Sequence, residues 1–170
     1  MRMLLYPPPS HPRLKNVQLS LHADYALRVL VYLGTHPGRI ISTQEISAAY
    51  GISKNHLVRV VQTLADQAYV DVQAGRSGGV KLAREPHLIR LGEVVRIAEP
   101  NLRLAECFDA KTNTCPIAGA CGLQGMLREA LADFLATLNK YTVADILDHG
   151  GQRKIASAFA TFVGWSGDPS

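Results

Sequence analysis

Between Ser42 and Leu82 lies the feature that most narrows the fold: two short helical patterns joined by a glycine turn, then two alternating runs joined by a second one. Ser42-Thr43-Gln44-Glu45 reads as a capping box, a serine with a glutamate three residues on. Ile46 and Ala49 face inward before Gly51, a natural left-handed terminator. Only Ile52 and Ser53 intervene before the next helix, capped by Ser53, where Leu57, Val60, Val61 and Leu64 recur at i, i+3, i+4 and i+7. Asn55, Arg59 and Gln62 fall on its far side, with Lys54 and His56 flanking. Val70 and Val72 then alternate, Gly75-Arg76-Ser77-Gly78-Gly79 turns, and Val80 and Leu82 alternate again, which predicts a short β-hairpin. Two such helices alone also describe an ordinary helical hairpin. A β-hairpin directly after them makes the unit a winged helix-turn-helix.

That unit points to double-stranded DNA. Asn and Gln pair with adenine edges and Arg with guanine in the major groove, while an arginine on a wing enters a narrow minor groove. From residue 53 to 90 six basic residues (Lys54, Arg59, Arg76, Lys81, Arg84, Arg90) face three acidic ones (Asp66, Asp71, Glu85). Charges on a helix are usually a solvated face, but these collect on the elements that would meet a duplex. The candidate DNA contacts are Lys54, Asn55, His56, Arg59, Gln62 and Arg76. The net charge of +4 permits this partner without demanding it.

The chain of 170 residues, 47% apolar, suits one core with an appended helix and excludes wholesale disorder. No stretch approaches the ~20 apolar residues of a membrane span. Residues 1–16, broken by Pro7, Pro8, Pro9 and Pro12, are expected to be a disordered extension. Residues 17–100 form the winged domain. Its first helix is capped by Ser20, carries Asp24 in its first turn and ends at Gly34; a later one, marked by Leu91, Val94, Val95 and Ala98, stops at Pro100. After a cysteine loop at 101–122, residues 123–148 read as a dimerisation segment. Its long helix has a wide stripe of Leu123, Met126, Leu127, Ala130, Leu131, Phe134, Leu135 and Leu138, and a short capped turn begins at Thr142. That stripe packs either on its own body or on a second subunit, and the second is favoured because two-fold regulators read two half-sites. Residues 149–170, rich in Gly, Ser and Ala, read as a flexible tail. The fold class is therefore mostly α with a small β-hairpin wing, a winged helix-turn-helix plus a long dimerisation helix.

All three cysteines, Cys107, Cys115 and Cys121, sit in the one loop. An odd number closes no disulfide framework, and Met3-Leu4-Leu5-Tyr6, ended at once by proline, is too short for a signal core. Clustered thiols in a cytoplasmic protein point to metal or redox chemistry. The gaps of seven and five residues match no helical spacing, so the thiolates converge only if Pro116, Gly119 and Gly122 let the loop fold tightly. Zinc accepts such ligands but usually through close C-x₂₋₄-C knuckles, which are missing; an iron–sulfur cluster tolerates longer gaps. Three unrelated buried thiols are the plain alternative. Spacing favours the cluster without deciding it.

Gln18-Leu19-Ser20-Leu21-His22-Ala23-Asp24-Tyr25-Ala26-Leu27-Arg28, the Gly75–Gly79 wing, the cysteine loop, Ser53–Val58 and Asn139–Asp145 together resemble the NsrR family of nitric-oxide-sensitive iron–sulfur repressors, relatives of the cluster sensor IscR. The resemblance spans roughly residues 17–147. It implies a cytoplasmic homodimer on operator DNA, nitric oxide as signal, and a 2Fe–2S or 4Fe–4S cluster on Cys107, Cys115 and Cys121. It also implies a carboxylate from the partner subunit at the position of Asp24, a residue equally placed to favour the helix dipole. The IscR-type histidine three residues after the last cysteine is here Gln124. The first cysteine gap is longer than is usual in that family, and the family starts near Gln18, so translation is expected to begin at Val17. A zinc-stabilised winged-helix interaction module, an iron–sulfur or redox regulator of another regulon, and a thiol enzyme are the rivals. The enzyme lacks a convincing base, and no catalysis is expected.

Overall fold

The computed structural model describes residues 18–75 and 78–162. In order these form α1 (Leu21–Gly34), α2 (Thr43–Tyr50), α3 (Lys54–Asp66), β1 (Val70–Gln73), β2 (Gly79–Leu82), α4 (Leu91–Ala98), α5 (Leu123–Leu138), α6 (Val143–Gly150) and α7 (Gln152–Phe162). The expected fold class, mostly helical with one antiparallel hairpin, is the one observed.

Local signals place the first helices. Ser20 accepts the Ala23 N–H at 3.2 Å to start α1, and the Glu99 carboxylate past α4 accepts the Ser20 N–H at 2.9 Å. The beginning of α1 and the end of α4 are thus tied together. Ser42 accepts the Glu45 N–H at 3.1 Å, but Glu45 does not return the bond. Its carboxylate takes the Arg39 guanidinium and the Tyr32 hydroxyl instead. The reciprocal box occurs at α6, between Thr142 and Asp145. Gly51 turns the chain into α3 with φ +64°, a backbone that glycine adopts without a Cβ penalty.

The core lies where α1, α3, α4 and the hairpin meet, around Leu30, Leu33, Ile46, Leu57, Leu64, Val80 and Val94. Burying each such side chain is worth about 1.5–3 kcal/mol. The hairpin pairs Val70 with Leu82 and Val72 with Val80. Ile41 adds a bridge that periodicity does not reveal, exchanging backbone bonds of 2.9 and 2.8 Å with Val80. Gly79 permits this approach, since a Cβ there would strike the Ile41 carbonyl.

Two segments differ from the sequence reading. Residues 123–148, expected as a dimerisation segment, divide into two helices that are buried differently. Of the α5 stripe only Leu135 is buried, whereas α6 sinks Val143 and Leu147 into the winged-helix core. Leu147 seats over Gly34, in the space a side chain would fill. The tail from residue 149 is not simply loose either: Gln152–Phe162 is helical. Ile155 and Phe159, four residues apart, pack against the core, with the Phe159 ring 4.9 Å from Tyr32 and 5.0 Å from Tyr50. The Gly, Ser and Ala around that pair hide it in the composition. Residues 1–16, the end of the tail from 163 and the wing residue Arg76 lie outside the described residues.

Candidate nucleic-acid interface and metal centre

Burial of Leu57, Val60, Val61 and Leu64 fixes which way α3 faces. The opposite side then carries Lys54, Asn55, His56, Arg59 and Gln62, all exposed. The Gln62 amide donates to the Asp66 carboxylate at 2.6 Å, which holds it along the helix axis. Arg59 and His56 line one edge of a groove whose other edge is Leu21, His22 and Tyr25 of α1. The His22 ring nitrogen stands 3.0 Å from the Thr63 hydroxyl and so braces α1 on α3.

A second cleft runs between the start of α2, Lys54 and the hairpin, lined by Ser42, Thr43, Gln44, Gln73 and Gly79. The sequence reading did not single out Thr43, Gln44 or Gln73. Thr43 and Gln44 lie in a polar helix start that capping already explains, and Gln73 ends the β1 alternation.

Not every basic residue of this half is available to a duplex. Arg84 donates to the Gln67 and Ala68 carbonyls at 2.7 and 2.8 Å, and its guanidinium lies 4.3 Å from the centre of the Tyr69 ring. It satisfies the carbonyls that follow α3. Arg90 donates to the Asn139 carbonyl at 3.0 Å and joins α4 to the end of α5. Lys54 and Arg59 form no ion pair among the described residues.

The cysteine loop is assembled differently. Cys107 lies in a single 3-10 turn, Glu106–Phe108, and Cys115 and Cys121 flank the turn at 116–120 before α5; all three are free and half-buried. From Cys115 onward backbone bonds wind the chain, including the Cys121 N–H to the Ile117 carbonyl at 2.9 Å. Before Cys115 side chains add to short backbone turns such as Asn113 N–H to the Asp109 carbonyl at 3.0 Å. Glu106 accepts both the Thr114 N–H and the Thr114 hydroxyl, at 2.6 and 2.7 Å, which keeps its pKa below the ordinary glutamate value. Asp109 accepts the Lys111 N–H and the Thr112 hydroxyl and pairs with Arg103 at 2.7 Å, and its pKa is lowered by those bonds. Gln124, at the position of the IscR-type histidine, donates its side-chain amide to the Cys107 carbonyl.

Among the described residues no three His, Cys, Asp or Glu side chains gather closely enough to hold an ion. Asp24 is half-exposed at the start of α1 and pairs with Arg28 at 2.8 Å. The donor chemistry nonetheless fits an iron–sulfur group or zinc: three soft, free thiols on one loop.

A family profile described as Rrf2, iron-dependent transcriptional regulator, matches residues 19–149. The chain belongs to the Rrf2 family. Among Rrf2-type relatives it is 43% identical over 132 residues to the HTH-type transcriptional regulator NsrR of Bacillus subtilis (strain 168), covering 77% of this chain and 90% of that one. To the NsrR of Shouchella clausii (strain KSM-K16) it is 44% identical, covering 77% and 89%. Among solved structures, T. potens IscR aligns with a TM-score of 0.64 at 21% identity over 82% of this chain and 92% of that one. CymR, the global cysteine regulator of B. subtilis, aligns with a TM-score of 0.57 at 21% identity over 79% and 98%. Those two likenesses show the fold. As an Rrf2 member the chain is a DNA-binding transcriptional regulator of the NsrR type and not an enzyme. Among the described residues no helix is long and apolar enough to cross a membrane. The helix α7 lies beyond the Rrf2 match.

Proposed function

We propose that this chain is a cytoplasmic, homodimeric repressor that senses nitric oxide through an iron–sulfur cluster and controls nitrosative-stress genes. The observation that carries the proposal is the three free thiols on one loop between α4 and α5, in a chain this similar to NsrR. Cys107, Cys115 and Cys121 hold the cluster, and Asp24 of the partner subunit completes its ligands. When bound, the cluster supplies iron that nitric oxide attacks.

The protein's own part is to convert that tie into a register. A loop fastened to α1 of the other subunit fixes the spacing of the two α3 helices, because α1 and α3 share one core. Lys54, Asn55, His56, Arg59 and Gln62 then enter successive major grooves, and Arg76 on each wing enters the minor groove. Dimerisation is supported by α5, which leaves Leu123, Met126 and Phe134 exposed at 53%, 67% and 45%. An apolar stripe of that kind marks an interaction surface. Coupling of ~1–3 kcal/mol between sensing and operator binding changes affinity about 5–150-fold.

The test is an anaerobic absorption spectrum with iron and sulfide analysis, before and after nitric oxide, alongside operator binding at fixed salt. Broad visible absorption that nitric oxide bleaches, with a parallel loss of operator affinity, is expected. Colourless protein holding about one zinc per chain, or equal operator affinity with and without the cluster, overturns the sensing role and leaves the DNA-binding half intact.

A further inference from the structure

The seven-residue gap from Cys107 to Cys115 and the five-residue gap from Cys115 to Cys121 are closed by different means. The second winds on backbone hydrogen bonds: Ala118 N–H to the Cys115 carbonyl, Ala120 and Cys121 N–H to the Ile117 carbonyl. The first has short backbone turns of its own, Asp109 N–H to the Glu106 carbonyl and Asn113 N–H to the Asp109 carbonyl, but its neck is spanned by one side-chain bridge. Glu106 immediately precedes Cys107, Thr114 immediately precedes Cys115, and one carboxylate oxygen, Oε1, takes both Thr114 donors at 2.6 and 2.7 Å. Within that neck Asp109 binds Lys111 N–H, Thr112 Oγ1 and Arg103, while Asn113 accepts the Cys115 N–H at 3.1 Å.

We propose that Glu106 is a positioning residue for the metal centre: by holding Thr114 it fixes the separation of the first two thiols before any cluster is present. This rests on the iron–sulfur reading above for its purpose, though not for its geometry. A carboxylate spent on two Thr114 donors is not itself a ligand. Its work is to spare the thiols a loop-closure cost when the cluster loads, since ordering a flexible segment opposes binding. Bonds from a single carboxylate to an N–H and an O–H are charge-assisted, and they act across a neck that no backbone–backbone bond spans. Residues that orient ligands in this way typically change metal affinity by roughly 10–100-fold when removed.

The experiment uses the full chain as wild type, Glu106→Ala, Glu106→Gln and Thr114→Val. In metal-free, reduced protein a short bis-alkylating reagent bridges neighbouring thiols, and mass spectrometry maps which pairs are joined. Glu106→Ala is expected to lower the Cys107–Cys115 bridge yield several-fold while the Cys115–Cys121 yield stays constant. Glu106→Gln, which keeps an acceptor oxygen, restores most of it, and Thr114→Val, which keeps the backbone donor, falls between. After reconstitution, Glu106→Ala should lose iron to a chelator roughly 10-fold faster. An unchanged Cys107–Cys115 yield in Glu106→Ala overturns the proposal, as does an equal fall in both yields, which would report general unfolding of the loop. If wild type binds no iron and sulfide, the sensing function fails while the bridge yields still decide whether Glu106 sets the thiol spacing.

Discussion

On α3, Leu57, Val60, Val61 and Leu64 are all buried, and the surrounding helices leave little freedom in how that helix can sit. From residue 101 to 122, by contrast, no side chain is buried. The first region is held by removal of apolar surface from water, which is strong and indifferent to chemical detail. The second is held by local backbone turns, a few side-chain hydrogen bonds and one ion pair, Arg103 with Asp109, with little apolar burial behind them. The difference assigns the roles. The rigid half presents a fixed row of side chains, and in the loosely held half the Glu106–Thr114 tie is what limits rearrangement.

The comparison breaks most severely where the rigid half is cut. Leu57→Ala should destabilise the fold by ~2–5 kcal/mol in urea unfolding. An effect under about 1 kcal/mol would mean that α3 is not packed as described. Gly92→Ala comes next, at ~1–3 kcal/mol. Its Cβ would collide with the Leu135 carbonyl and the Asn139 side chain, so α4 and α5 must separate. A lowered Tm that also weakens dimerisation would show the two halves communicating through that contact.

Smaller and purely functional is Arg59→Ala. It should leave unfolding within about 0.5 kcal/mol of wild type and weaken operator binding about 10-fold, or ~1.4 kcal/mol. Fluorescence anisotropy at constant salt measures this, and unchanged affinity would remove Arg59 from the interface. In metal-free protein Cys115→Ser should alter stability by less than about 0.5 kcal/mol while abolishing iron uptake. A large loss of stability would make the thiol part of a structural core.

The smallest effect is one of pH. Asp145 is held below its ordinary pKa by the Thr142 hydroxyl and backbone N–H. A carboxyl lowered in the folded state contributes its stability above the unfolded value, about 3.9. That contribution is lost as pH falls through the lower, folded value. Asp145→Asn should therefore lose a little stability at neutral pH, where the carboxylate contributes, and match wild type at low pH, so that the acid side of its stability–pH curve is flatter. A steeper acid loss in the variant would contradict the capping role.

Much of this could be read directly from residue spacing. The period of Leu57, Val60, Val61 and Leu64 gave the buried face of α3 and with it the outward set from Lys54 to Gln62. The caps at Ser20, Ser53 and Thr142 fall where local hydrogen bonding places them. Charge was less faithful: Arg84 and Arg90 counted toward a DNA-facing excess, yet both are engaged by carbonyls that the sequence could not put beside them. Glu106 gave no signal at all, since an exposed acid eight residues from its threonine partner has no periodic signature.

What the sequence determined by itself is what depends on neighbours along the chain: helix starts, the glycine turn, the hairpin, and three thiols confined to one loop. Only the tertiary structure decided that α6 belongs to the winged-helix core, that Ile155 and Phe159 fold α7 back onto it, and that α5 buries only Leu135 of its apolar stripe. Periodicity reports that a face is apolar, but not which surface will cover it. That choice is made by the shapes meeting at Gly34, Gly79 and Gly92, where the absence of a side chain on one element makes room for another.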